Sequence, residues 1–179
     1  MTEEEKIQLI CQSLNDNALG DITRASAGGS KMGAFILCSC LIDAIAGFMK
    51  GSNTQGPDYK NFVSDYLHGY DCEKLYADLR CKLVHSYSEG GSYTFVHEKP
   101  ALHFCEDQMG KIIINLENFI GEIQTALKSV ISRLQDDSEN DLRARAIKRF
   151  DDNGIIHIYP ITATGTILGS ISGSGSNIL

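Results

Sequence analysis

At 179 residues and 19.6 kDa the chain has the length of one ordinary domain, and 42% hydrophobic content lets it build a core without disulfides or metal. Sixteen Lys and Arg against 23 Asp and Glu give a net charge of −7 and a pI near 5.1. That balance excludes a general nucleic-acid coat or a membrane-surface protein, while leaving room for a local basic cleft.

The opening Thr2-Glu3-Glu4-Glu5 is a capping box in sequence, with the Thr2 hydroxyl set to serve a backbone N–H and Glu5 to reach back. It is acidic where a secretory signal needs positive charge, which points to a cytoplasmic protein. Ile7, Ile10, Cys11 and Leu14 recur at helical spacing, Asn15-Asp16-Asn17 is expected to stop the helix, and a loop is expected to Gly29. Ser30 is the expected N-cap of a second helix holding the most apolar run, Met32 to Met49. Asp43 inside that run, with Gly33, Ser39 and Gly47 diluting it, favours a central bundle helix over a membrane span.

After the turn residues 51–57, Asp58 opens a third helix with Tyr59, Phe62, Val63, Tyr66 and Leu67 on one face, broken by His68-Gly69-Tyr70-Asp71. A fourth helix spans about 72–87 on a Leu75, Leu79, Leu83 stripe. Gly90-Gly91 then introduces a β-rich stretch: strands at 93–97 and 102–104 are expected to oppose one another across Glu98-Lys99-Pro100, with a third at 111–114. Asn115 caps a long helix whose Leu116, Phe119, Ile120, Ile123, Leu127, Val130, Ile131 and Leu134 share a face. The next helix starts at 138–141 and ends at Gly154, acidic at its start and carrying Arg143, Arg145, Lys148 and Arg149 in what reads as a solvated, dipole-complementing end. An edge strand at 155–159 and a Gly/Ser/Thr-rich tail from 162 to 179 complete the chain. The fold class is therefore mainly α, a helical bundle with a small antiparallel β insert (about 91–114) in a domain of residues 1–150, followed by an irregular extension over 151–179.

Few residues carry chemistry. The six cysteines, at 11, 38, 40, 72, 81 and 105, read as small, mostly buried hydrophobes of a reducing compartment. Cys38 and Cys40 would point ~200° apart on a helix, and no C-x-x-C or H-x-x-x-H occurs, so neither a metal nor another cofactor is expected. Ala27-Gly28-Gly29-Ser30-Lys31 lacks phosphate-loop spacing and reads as a loop and cap. Asp43 needs a partner, a cleft or a proton, because an unpaired carboxylate on an apolar helix is costly. The distinctive run is Leu79-Arg80-Cys81-Lys82-Leu83-Val84-His85-Ser86-Tyr87. On a regular α-helix Arg80 and His85 stand ~140° apart, flanking one edge without stacking.

Arg80-x4-His85-x-Tyr87, near the end of a helix in a mostly helical chain, resembles the R-x4-6-H-x-Y signature of HEPN domains, notably toxins paired with minimal nucleotidyltransferase antitoxins. The resemblance implies a bundle of four or five helices, built here on the two long apolar helices at 31–50 and 115–135. It also implies a homodimer in which the two motifs face each other, an antitoxin or other partner protein, and metal-independent cleavage of RNA in a toxin or defence role. On that basis Arg80 and His85 are the catalytic candidates: His85 as general acid or base at the 2′-OH or leaving oxygen, Arg80 stabilising phosphorane-like charge. Tyr87 would position the phosphate or receive a modification, Asp43 would support Arg80 from the second helix, and Cys81 occupies the place where the family usually has a polar residue. The alternative is a non-catalytic HEPN-like module that binds a nucleotide or a protein. Cys81 favours it, as do the four cationic against six acidic side chains of 58–89, a net charge of −2 where an RNA groove prefers the opposite sign.

Overall fold

The N-terminal capping box forms as read: Thr2 N–H donates to Glu5 Oε2 at 2.7 Å and Glu5 N–H to Thr2 Oγ1 at 3.2 Å, starting α1 (Glu3–Gln12). The computed structural model of the chain describes residues 1–88 and 90–155. Asn15-Asp16-Asn17 does not stop this helix. The chain passes through a π-helical segment (Ser13–Leu19) and continues as α2 (Gly20–Ala27), where a loop was expected. The reason is visible in the burial pattern. Ile7, Ile10, Cys11 and Leu14 are buried at α spacing, Leu19 follows five residues later, and Ile22 resumes the stripe. A π turn bonds i to i+5 and so absorbs one surplus residue without rotating the apolar face out of the core.

α3 (Lys31–Lys50) is the central helix, packed against α2, α4 (Gly56–Tyr66), α7 (Leu116–Leu134) and α8 (Asn140–Asn153). It is the one helix among the described residues long and apolar enough to cross a membrane, and ten of its residues, from Ala34 to Phe48, are buried in this fold. Ser30 occupies the N-cap position as expected, without a side-chain cap bond. Gly51 at φ 87° ends it in the left-handed conformation that glycine adopts without a Cβ penalty. In α4, Tyr59, Phe62 and Val63 face the core.

The fourth helical stretch is composite: α5 (Cys72–Leu75), a second π-helical segment (Tyr76–Leu83) and α6 (Val84–Ser86). Its Leu75, Leu79 and Leu83 stripe is fully withdrawn from water.

The β insert departs from expectation. β1 (Tyr93–Val96) and β2 (Ile112–Asn115) pair in parallel, Tyr93 with Ile112 through Val96 with Asn115. Parallel strands need a connection of about a dozen residues or more, which 97–111 supplies. Pro100 starts a 3-10 turn (Pro100–Leu102), so 102–104 forms no strand. The antiparallel element shrinks to a bridge between Glu106 and Ile112, with Phe104 N–H donating to Ile113 O at 2.9 Å. Asn115 ends β2 and caps α7, its side chain accepting from Asn118 N–H. Phe95 seats the sheet on α3 with its ring 4.8 Å from that of Phe35.

α8 also corrects its reading. The helix runs to Asn153, so Asp151 and Asp152 occupy its last turn and the four basic residues lie earlier. Three of them bind backbone instead of complementing the dipole: Arg143 donates to Leu134 O at 2.9 Å, Arg145 to Met49 O at 2.6 Å and Arg149 to Ala44 O at 2.8 Å. The boundary expected at 150 therefore falls inside this helix. The expected strand at 155–159, past Ile155, and the tail from 162 lie outside the described residues.

Candidate functional site

The π segment decides how the motif is presented. Val84 N–H bonds to Leu79 O, five residues back, and this register brings residues five apart close to one above the other. Arg80 and His85, expected ~140° apart on a regular helix, accordingly meet: Arg80 Nη1 contacts His85 Nε2. A guanidinium only donates, so in this contact Nε2 stands on the accepting side. This is a correction to the flanking geometry read from the sequence, and it tightens the pair.

On the other side Arg80 Nε forms an ion pair with Asp43 Oδ2 on α3. The two groups are held together by their opposite charges. The two side chains are 25% and 23% exposed: enough burial to strengthen the pair over a surface one, enough water to leave it reachable. Burial pushes the Asp43 carboxyl above the ordinary carboxylate value, and Arg80, His85 and Arg149 pull it back. Asp43, Arg80 and His85 thus form one row from α3 to α6, ending in an exposed imidazole.

The other two candidates stand apart from this row. Cys81 is half-buried, and its thiol meets the Tyr76 hydroxyl. The Tyr76 ring packs edge-on against Tyr59 at 5.5 Å, and the Tyr59 hydroxyl is 3.2 Å from Ser39 Oγ on α3. Cys81 thus belongs to a polar column inside the packing between α3, α4 and the π segment. Tyr87 is 70% exposed and adopts φ 47°, ψ 42°, closing the helix. Beneath the motif, buried Asp78 accepts from the N–H groups of Gly91, Ser92 and Tyr93 (3.3, 2.7 and 3.0 Å), tying the entry of β1 to the motif's own helix.

Two arrangements escaped the sequence. Arg149, assigned to a solvated surface, enters the Asp43 neighbourhood from α8. Tyr70, His103 and Glu122 converge under the β insert: His103 Nδ1 accepts from Asn115 N–H at 3.0 Å, its Nε2 lies 3.3 Å from Glu122 Oε1, and the Tyr70 hydroxyl donates to Glu122. No spacing signal links these positions, because the fold alone brings them together; helical periodicity around Arg149 gave no hint of its depth either.

Among the described residues no group of three His, Cys, Asp or Glu side chains could hold a metal ion. Comparison of the chain with protein-family models, with curated proteins and with solved structures returns no match.

Proposed function

We propose that the chain is a HEPN-like, homodimeric, metal-independent endoribonuclease, acting as a toxin or defence effector. The observation that carries this reading is the seating of the Arg80 guanidinium between the Asp43 carboxylate and the His85 imidazole at an exposed helix end. Asp43 fixes one edge of the guanidinium. An incoming phosphodiester competes with His85 for the remaining N–H groups, and the planar fork grips two phosphate oxygens as charge develops on them. That exchange releases His85 Nε2 to take the proton of the attacking 2′-OH and later return one to the leaving oxygen. A two-fold dimer would lengthen the short site by setting two such rows along one groove.

A second reading, a module that binds a nucleotide or protein without cutting, is favoured by one specific feature: Asp43 already offsets the charge of Arg80, in a chain that is acidic overall. Incubation of the purified protein with total RNA in EDTA separates the two. Wild type is expected to cut, His85→Ala to be inactive, and Arg80→Lys to be a poor enzyme with an unchanged circular dichroism spectrum. Intact RNA with wild type, or equal cutting by His85→Ala, rejects the nuclease.

A further inference from the structure

Arg149 reaches α3 from a distant part of the chain and does so at one particular turn. Its Nη1 donates to Ala44 O at 2.8 Å, and its guanidinium lies 4.4 Å over the Phe48 ring. From the loop after α3, the Thr54 hydroxyl donates to Asp43 O at 2.5 Å. Two consecutive carbonyls of α3, those of Asp43 and Ala44, are therefore gripped by side chains from outside the helix. Gly47 makes this approach possible: a Cβ there would fall 2.6 Å from Arg149 Cζ and 2.8 Å from Thr54 Oγ1. The guanidinium is half-buried, and its Nε has no hydrogen-bond partner among the described residues. A cation placed so deep is costly unless an anion compensates it, and Asp43 is the anion whose field it feels.

We propose that Arg149 is a positioning residue for the row of Asp43, Arg80 and His85: from α8 it holds the turn of α3 that carries Asp43 and, together with Arg80, holds the Asp43 carboxylate charged and in place. The groups facing Asp43 are Arg80 and Tyr76 from the π segment, His85 from α6, Arg149 from α8, Tyr59 from α4 and Cys40 on α3 itself. Only the two guanidinium groups among them are permanently charged, so they carry the compensation between them. Arg80 faces the exposed edge and is the one a ligand would engage. Arg149 is anchored on the Ala44 carbonyl of α3, so Asp43 keeps a counter-charge when Arg80 turns to a phosphate.

The titration of the Asp43 carboxyl, followed by carbon-detected NMR on the full chain, tests this independently of any activity. Arg149→Gln retains a donor for Ala44 O without the charge and is expected to raise the Asp43 midpoint by about half a pH unit or more. Arg149→Lys is expected to restore most of the difference, and Lys148→Gln, a neighbour that pairs with Asp152, to change nothing. Should Arg149→Gln fail to fold, Gly47→Ala displaces the guanidinium and is expected to move the midpoint in the same direction. An Asp43 midpoint in Arg149→Gln equal to that of Lys148→Gln overturns the proposal. The activity arm alone rests on the nuclease reading: the acid limb of RNA cleavage should move with the Asp43 midpoint. If wild type cuts no RNA while the midpoint shifts as described, the nuclease falls and the positioning role stands.

Discussion

Tyr87 ends its helix at φ 47°, in a region where an L side chain crowds its own carbonyl at a cost of roughly 1–2 kcal/mol. Glycine is the usual residue there, and an exposed phenol recovers little of that cost through packing. Tyr87→Gly is accordingly expected to raise stability by up to about 1 kcal/mol in urea unfolding, the gain being trimmed by the extra freedom of glycine in the unfolded chain. If the phenol positions a phosphate, the same change lowers RNA cleavage, so stability and activity move in opposite directions. A loss of stability would show that the ring packs in solution in a way its exposure denies. At this scale the sequence was informative wherever a residue contradicted its surroundings. Asp43 stood out as a carboxylate in an apolar run, and it is paired; Arg80 and His85 stood out by spacing, and they touch. Arg149 contradicted nothing, since one more Arg in a charged helix carries no sign that it will be half-buried beside another helix.

The two π segments explain why the first helix continues past Asn15-Asp16-Asn17 and why Arg80 meets His85. Residues five apart look out of phase on a 3.6-residue wheel, so nothing beyond Leu14 spoke against Asn15-Asp16-Asn17 as a stop, and Arg80 with His85 read as splayed. A test follows for the first segment. Deleting Asn15, which is exposed and whose side chain donates to its neighbour Asp16, sets Leu19 four residues after Leu14. The π turn then becomes α-helix with its buried face in register. Thermal unfolding is expected within a few degrees of wild type, whereas deleting Ser39 from α3 rotates half of a buried helix by ~100° and should abolish folding. Collapse on deletion of Asn15 would mean that the wide turn is needed for its own sake. The long regular helices were legible because α7 keeps one apolar face throughout, α3 is the most apolar run of the chain, and Asn115 caps as expected. The β insert was legible as β but not in its direction. Strand residues at 93–96 and 112–115 announce themselves by composition, while parallel pairing is fixed by where the connection and β2 are carried, which no local pattern states.

For the molecule as a whole, one core joins α1 to α5, α7 and α8, so loss of volume at its centre is felt globally. Leu127, fully buried on α7, is expected to cost about 2–5 kcal/mol as Leu127→Ala. An unchanged melting temperature would contradict the packing of α7 in that core. The response to acid follows from the carboxylates. Asp71 is lowered by the Lys74 N–H, Asp107 by the Thr94 hydroxyl, Asp136 by the Ser138 N–H and Glu139 by Arg133. Asp58 and Glu117, against their own burial, are lowered by Lys50 and by the Glu98 N–H. Each of these six binds its proton less readily folded than unfolded. Each contributes stability that is present above its ordinary value and is lost as pH falls through its folded value. Asp43 has the opposite sign: burial raises its folded value, so its ionisation costs stability as pH rises through the window between the ordinary and raised values. Below the ordinary carboxylate range the six act together against the folded state. The urea midpoint is therefore expected to be nearly level at neutral pH and to fall below about pH 4. In Asp43→Asn the acid fall should persist while the opposing slope just above it disappears. Midpoints that rise as pH drops from about 5 to 3 would show that these hydrogen bonds and ion pairs do not hold the carboxylates in solution.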